Sequence, residues 1–131
     1  MMYFSPEVVI GIIVLHFIAD FVYQSDWMAT NKSKNNIALL THVLVYTAVL
    51  AIGGAIIAPD NLQKIVLPWI LVNGALHFVT DFCTSRVTSK LWQANERHWF
   101  FVMIGFDQCI HYSCLFYSYS WIAGQAQIYA N

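Results

Sequence analysis

Residues 37–58 read IALLTHVLVYTAVLAIGGAIIA, an apolar stretch without a single Asp, Glu, Lys or Arg. An α-helix needs about 20 such residues to cross the hydrocarbon core of a bilayer. The whole chain shares this character, because 59% of its 131 residues are apolar and only 10% are charged. A soluble domain carries about 25% charged residues, so the composition excludes an ordinary soluble globule and predicts an integral membrane protein. The net charge of −1, without a long basic stretch, argues against a nucleic-acid partner.

Further apolar segments lie on both sides of this stretch. Ser5 followed by Pro6 is a typical helix start, and the polar run TNKSKNN at 30–36 separates the first two segments. The expected helices cover residues 6–28, 37–58, 62–90 and 98–123. The sequence therefore predicts an all-α fold, with residues 1–131 forming one domain, a bundle of four transmembrane helices.

Basic residues are distributed unevenly between the two ends of this bundle. Those beside the connections between helices 1 and 2 and between helices 3 and 4 are Lys32, Lys34, Arg86, Lys90 and Arg97. Lys64 lies at the other end. In a bacterium, the positive-inside rule then places both connections in the cytoplasm, with both termini outside the inner membrane.

Ionisable side chains occur inside all four predicted helices, where each charge costs on the order of 3 kcal/mol. They are His16, Asp20, His42, His77, Asp81, Asp107 and His111. Six of them form pairs spaced four residues apart, so the members of each pair share one helix face. A rise of about 1.5 Å per residue places all seven roughly 10–20 Å from the cytoplasmic helix ends. The spacing therefore predicts a polar pocket that is entered from the cytoplasmic side.

Three buried carboxylates must be neutralised by protonation, by basic side chains or by a cation, and no Lys or Arg lies mid-span. Carboxylates with imidazoles suit Zn, Mn, Fe or Ni, so one or two divalent ions are the expected cofactor. The predicted metal ligands are Asp20, His77, Asp81, Asp107, His111 and His16. Seven candidates exceed one tetrahedral zinc site, so either two metals bind or some residues act as bases. The candidate catalytic residues are His16, His42 and Asp20.

Other polar residues have predicted supporting roles. Those expected to hold the ligands in place are Gln24, Tyr46, Asn73 and Gln108. Those expected at the pocket mouth, where they determine topology and are candidates for binding a phosphate or an anionic headgroup, are Lys32, Arg86, Lys90 and Arg97.

Four motifs carry a resemblance to a known family. They are HFIADFVYQSDWMATNK at 16–32, THVLVYT at 41–47, HFVTDF at 77–82 and DQCIH at 107–111. Through them the chain resembles the domain-of-unknown-function 3307 family of bacterial and phage membrane proteins. More loosely, it is similar to membrane-bound metal-dependent hydrolases. The first resemblance covers nearly the whole chain and implies a small polytopic inner-membrane protein with a polar motif.

Three functions from different classes account for this pattern. The first is a membrane-embedded metal-dependent hydrolase acting on a phosphoester or lipid-linked substrate. The second is a metal-ion or proton transporter, which would need an oligomer of the chain for alternating access. The third is a non-enzymatic accessory protein whose small helix bundle is stabilised by a bound metal ion. The expected partners are the lipid bilayer and a lipid or phosphorylated small molecule.

A purely structural network is the remaining alternative, in which His-Asp pairs hydrogen-bond the helices to one another. Interhelical hydrogen bonds in membranes contribute only about 0.6–2 kcal/mol each. That gain is too small to explain three acids at one depth, so the sequence favours a functional site.

Overall fold

Residues 5–128 are described by a computed structural model and contain helices but no strand, which confirms the all-α part of the predicted fold class. The α-helices are α1 (Pro6–Phe17), α2 (Asp26–Asn31), α3 (Asn36–Ile57), α4 (Leu67–Gln93) and α5 (Arg97–Ile128). A π-helical turn, Ile18–Val22, extends α1, and a 3-10 turn, Pro59–Asn61, with a second π-helical turn, Leu62–Val66, precedes α4.

Side-chain caps mark where the helices begin. Ser5 Oγ accepts a hydrogen bond from the backbone N–H of Val8 at 3.4 Å, and Pro6 occupies the first turn of α1. Asn35 Oδ1 accepts from the backbone N–H of Ile37 at 2.8 Å at the start of α3. Each cap satisfies a backbone donor that the helix itself leaves without a partner.

The first helix differs from the expected span of 6–28. Its α-helical part ends at Phe17, the π-helical turn ends at Val22, and a new helix begins after Ser25. Ser25 Oγ accepts from the backbone N–H of Met28 at 3.3 Å, so this serine is an N-cap inside the stretch expected to be continuous. Gln24, Ser25 and Asp26 are polar and mark this break in the sequence, but the apolar residues on both sides led to the prediction of one continuous helix.

The centre of the bundle is α4, which packs against both α3 and α5, while α1 packs against α3. One half of the bundle is filled by an apolar core that includes Leu50, Trp69 and Leu115. The indole N–H of Trp69 donates to the backbone carbonyl of Leu115 at 2.9 Å, which ties α4 to α5 inside this core. The polar side chains occupy the other half.

Within residues 5–128, two helical segments, Asn36–Ile57 and Pro59–Gln93, are long and apolar enough to cross a membrane by length and composition. On the first of them Leu44 is 60% exposed and Ile56 is 75% exposed, whereas His42 is completely buried. A helix of a soluble bundle has the opposite distribution, with its apolar stripe inside and its polar residues outside.

Candidate metal centre

Four side chains from three helical segments direct their ligand atoms toward one another, and we call them the four-ligand group: Asp20, His42, His77 and Asp81. Asp20 lies on the π-helical turn after α1, His42 on α3, and the other two on α4. His42 Nε2 lies 3.1 Å from both Asp20 Oδ1 and His77 Nε2. It also lies 3.3 Å from Asp81 Oδ2. His77 Nε2 lies 3.4 Å from Asp20 Oδ1 and 3.6 Å from Asp81 Oδ2.

These separations match those of ligands around a metal ion. Four ligand atoms placed tetrahedrally at the usual zinc distances lie about 3.3–3.6 Å from one another. Five of the six pairs of atoms in the four-ligand group lie 3.1–3.6 Å apart, and all its ligand atoms lie within 4.8 Å of one another, so they converge on one region. All four residues are buried, and the group can therefore hold a metal ion.

A second cluster, the three-ligand group, consists of Asp81, Asp107 and His111. His111 Nε2 lies 3.2 Å from Asp81 Oδ1 and 3.4 Å from Asp107 Oδ1. Asp81 therefore belongs to both groups, with Oδ2 in the first and Oδ1 in the second. Helical bundles that bind two metals likewise gather carboxylates and histidines from facing helices. The arrangement can accommodate two ions that share one carboxylate.

Stacking holds the central imidazole in place. The ring of His77 lies between the ring of Tyr46, at a centroid distance of 3.9 Å, and the ring of His111, at 4.2 Å. Within the described residues, the buried Nδ1 atoms of His77 and His42 have no hydrogen-bond partner. Metal-bound histidines usually donate from the second ring nitrogen, so for His77 ring packing takes over this orienting role.

A chain of hydrogen bonds runs behind the ligands through Gln108. Its Nε2 donates to Asp20 Oδ2 at 3.2 Å and to Asp107 Oδ2 at 3.1 Å. Because the amide nitrogen faces two acceptors, its Oε1 must accept, and His16 Nε2 lies 3.0 Å from it. His16 Nδ1 then accepts from the hydroxyl of Tyr46 at 3.2 Å. His16, expected as a ligand or base, thus lies outside both ligand groups, although it is completely buried.

Two side chains that the sequence analysis missed also belong to the site. Thr84 Oγ1 donates to Asp107 Oδ1 at 2.6 Å. Ser85 is only 9% exposed, and within residues 5–126 its Oγ has no hydrogen-bond partner. They follow Asp81 by three and four residues, so helical spacing could have revealed both of them.

A cavity of about 570 Å³ opens beside the ligand groups. Three of its lining residues are the carboxylates Asp20, Asp81 and Asp107. Its other polar lining includes Gln24, Thr30, Ser33, Ser85, Thr88 and Ser89. The cavity is lined both by the segment around α2 and by the last turn of α4. The connections between helices 1 and 2 and between helices 3 and 4 therefore lie at the same end of the bundle, as predicted. The ligand groups are therefore reached from that end.

Lys32 corrects the expectation that no basic side chain neutralises the buried acids. Its Nζ donates to Asp81 Oδ2 at 2.6 Å and lies 3.5 Å from His42 Nε2. The side chain is 17% exposed and lines the cavity. Lys32 reaches the site from outside the long helices, because the segment that follows α2 folds back beside the ligands.

Four residues with predicted site roles lie apart from the ligand groups and do not line the cavity: Asn73, Arg86, Lys90 and Arg97. The side-chain amide of Asn73 donates to the Trp69 carbonyl and to Ser118 Oγ, each at 2.8 Å. It therefore connects α4 to α5 rather than holding a ligand. The guanidinium of Arg97 packs over the ring of Trp92, 3.5 Å from the ring centroid. This contact lies at the surface of the bundle.

The model of one protein family, described as a protein of unknown function (DUF3307), matches residues 8–130. The chain therefore belongs to this family, as its four motifs predicted. The match includes every residue of both ligand groups. Neither a curated protein nor a solved structure matches the chain.

Proposed function

We propose that this chain is a four-span membrane protein that uses two divalent metal ions to hydrolyse a phosphoester or lipid-linked substrate. One observation carries the proposal: Asp81 joins the four-ligand group to the three-ligand group beside a cavity. In hydrolytic two-metal sites, ions about 3.5–4 Å apart stabilise both the attacking and the leaving oxygen. Asp81 would hold both ions here, and the ions would supply this stabilisation.

The two groups suit different tasks. Four protein ligands complete a tetrahedral shell, as in structural zinc sites, whereas catalytic sites have three protein ligands and an open position. We therefore assign catalysis to the three-ligand group, two of whose members, Asp81 and Asp107, line the cavity. Bound metal there would polarise the substrate and activate a water molecule.

Asp107 is the proposed acceptor of the proton from this water. Its Oδ1 belongs to the three-ligand group, and among the described residues its Oδ2 accepts a hydrogen bond from the amide of Gln108 alone. A carboxylate oxygen within hydrogen-bond reach of the attacking water can serve as a general base. In this assignment His42 and Asp20 are ligands, and His16 positions the carboxylates through Gln108.

Transport is less compatible with the packing. The half of the bundle away from the cavity contains Leu50, Trp69 and Leu115, all of them buried. An ion that left the ligand groups in that direction would have to cross close-packed apolar side chains. The proposed hydrolase needs only the opening at the other end.

The bundle is proposed to span the membrane four times, with the cavity facing the cytoplasm. Large apolar side chains are exposed along the helices, whereas the ionisable side chains of the two ligand groups are buried or half-buried, which is the distribution that lipid favours. In a variant with all three cysteines replaced by serine, cysteine introduced at Lys64 is expected to react with a membrane-impermeant maleimide in intact cells. Cysteine at Lys34 is expected to react only after lysis. The reverse pattern would invert the proposed orientation.

Hydrolysis is tested on the full chain purified in detergent without a metal-binding tag. Loaded with Zn²⁺ or Mn²⁺, it is expected to hydrolyse a nitrophenyl phosphate ester or phosphatidic acid. Asp107→Asn is expected to reduce turnover at least about 100-fold, because a ligand is lost together with the proposed base. The matched control, Asp60→Asn in the exposed 3-10 turn, should keep wild-type turnover. Equal turnover in all three proteins, or none in any, would contradict the proposal.

A further inference from the structure

We propose that Lys32 and a metal ion compete for Asp81, and that metal binding releases Lys32 to bind the phosphate group of the substrate in the cavity. The inference rests on the proposed metal centre. It goes further by assigning an order, metal before substrate, and by naming the group that recognises the oxyanion.

Competition follows from the position of the ammonium group. Lys32 Nζ lies 2.6 Å from Asp81 Oδ2 and 3.5 Å from His42 Nε2. Both atoms belong to the four-ligand group, so the ammonium occupies one side of the position where an ion would bind. A divalent ion bonded to the same oxygen would repel the ammonium strongly at this separation, since the surroundings are buried. Lys32 therefore leaves when the ion binds.

The cavity provides a place for the released ammonium. Lys32 lies just beyond α2 rather than within a long helix, and its four-carbon stem allows Nζ to move while the backbone stays in place. Lys34 lines the same cavity. Ser85 Oγ, buried and without a hydrogen-bond partner in the described part of the chain, is a free donor there. Two cations and a hydroxyl suit the oxygens of a phosphate group.

Metal must bind first because the cavity also contains carboxylates. Asp20, Asp81 and Asp107 line it, and in the absence of metal they would repel an anion. Two bound divalent ions would change the net charge of this region from negative to positive. They would also displace Lys32 from Asp81. Phosphate affinity should therefore depend on the metal as well as on Lys32.

The experiment compares Lys32→Met with Lys34→Met in the full chain, reconstituted into phosphatidylcholine nanodiscs. Lys34 is the matched control for the Zn²⁺ titration only, because it lines the cavity but has no ion pair with a ligand group in the part of the chain that the structure describes. Lys32→Met should bind Zn²⁺ about tenfold more tightly than wild type, and Lys34→Met should bind it with unchanged affinity. With metal loaded, Lys32→Met should bind inorganic phosphate at least about tenfold more weakly than wild type. Lys32→Arg, which keeps the charge, should resemble wild type in both titrations.

The outcomes separate this inference from the proposed function. If Zn²⁺ binds neither wild type nor Lys32→Met, the metal centre itself is refuted. If Zn²⁺ binds both with equal affinity, or if phosphate affinity is unchanged in the variant, only the role of Lys32 is refuted. Nanodiscs that contain phosphatidic acid identify the source of the anion. Weaker apparent binding of inorganic phosphate in them would indicate a lipid headgroup, and unchanged binding would indicate a soluble phosphate ester.

Discussion

Replacing Asp81 with asparagine is expected to remove both metal ions from the protein and to abolish hydrolysis. Asp81 is the one residue that the two ligand groups share, with Oδ2 near His42 and Oδ1 near His111. Asparagine keeps the shape of the side chain but removes its negative charge and replaces one ligand oxygen with an NH₂ group, which cannot bind metal. One group therefore loses a ligand atom outright, and the other keeps only a neutral amide oxygen in place of a carboxylate oxygen, so one substitution weakens metal binding in both groups.

Elemental analysis of the purified proteins measures this effect. Wild type should contain about two equivalents of metal, and Asp81→Asn should contain close to none. Asp107→Asn should lose only the ion of the three-ligand group and keep about one. Asp60→Asn controls for loss of a surface carboxylate and should keep both ions. If Asp81→Asn retained one ion, or lost no more than Asp107→Asn, Asp81 would not be a bridging ligand.

Much of this site could be predicted from the sequence, because an α-helix fixes which residues share a face. His77 and Asp81 are four residues apart, as are Asp107 and His111, and each pair does lie together in the structure. Burial could also be anticipated, since an ionisable residue inside an apolar helix is stabilised only by facing the bundle interior. These two pairs therefore required no tertiary information, whereas His42, predicted as a catalytic residue and not as a metal ligand, lies in the four-ligand group.

The division of that set into two groups required the structure. The spacing of residues along a helix shows which side chains share a face, but it does not show which neighbour each carboxylate oxygen approaches. The presence of Asp81 in both ligand groups was therefore not predicted. Lys32 was placed only at the pocket mouth, because the path of the chain after Ser25 depends on how α2 packs against α3. His16 was grouped with the ligands because it shares a helix face with Asp20. In the structure its Nε2 lies 3.0 Å from Gln108 Oε1 and 3.7 Å from Asp20 Oδ2, and it belongs to neither ligand group.

Chelation of the metal is expected to lower the thermal unfolding midpoint by roughly 15 °C for each ion removed. Without metal, the carboxylates of Asp20, Asp81 and Asp107 remain close together. In the described part of the chain, Lys32 is the only Lys or Arg paired with any of them. An ion that binds only the folded state contributes about 4 kcal/mol when its concentration is 1,000 times the dissociation constant. Thermal unfolding in detergent, with EDTA and with saturating Zn²⁺, measures the difference.

Two variants show whether this shift comes from the ligand groups. Asp81→Asn should unfold at the same temperature with and without EDTA, because it has no ion to lose. Leu50→Ala removes a completely buried side chain from the apolar core and should cost about 2–5 kcal/mol of stability. Its midpoint should fall, yet EDTA should lower it further by the same amount as in wild type, because the core and the ligand groups occupy different halves of the bundle. An EDTA effect that persisted in Asp81→Asn would mean that the stabilising ion binds elsewhere.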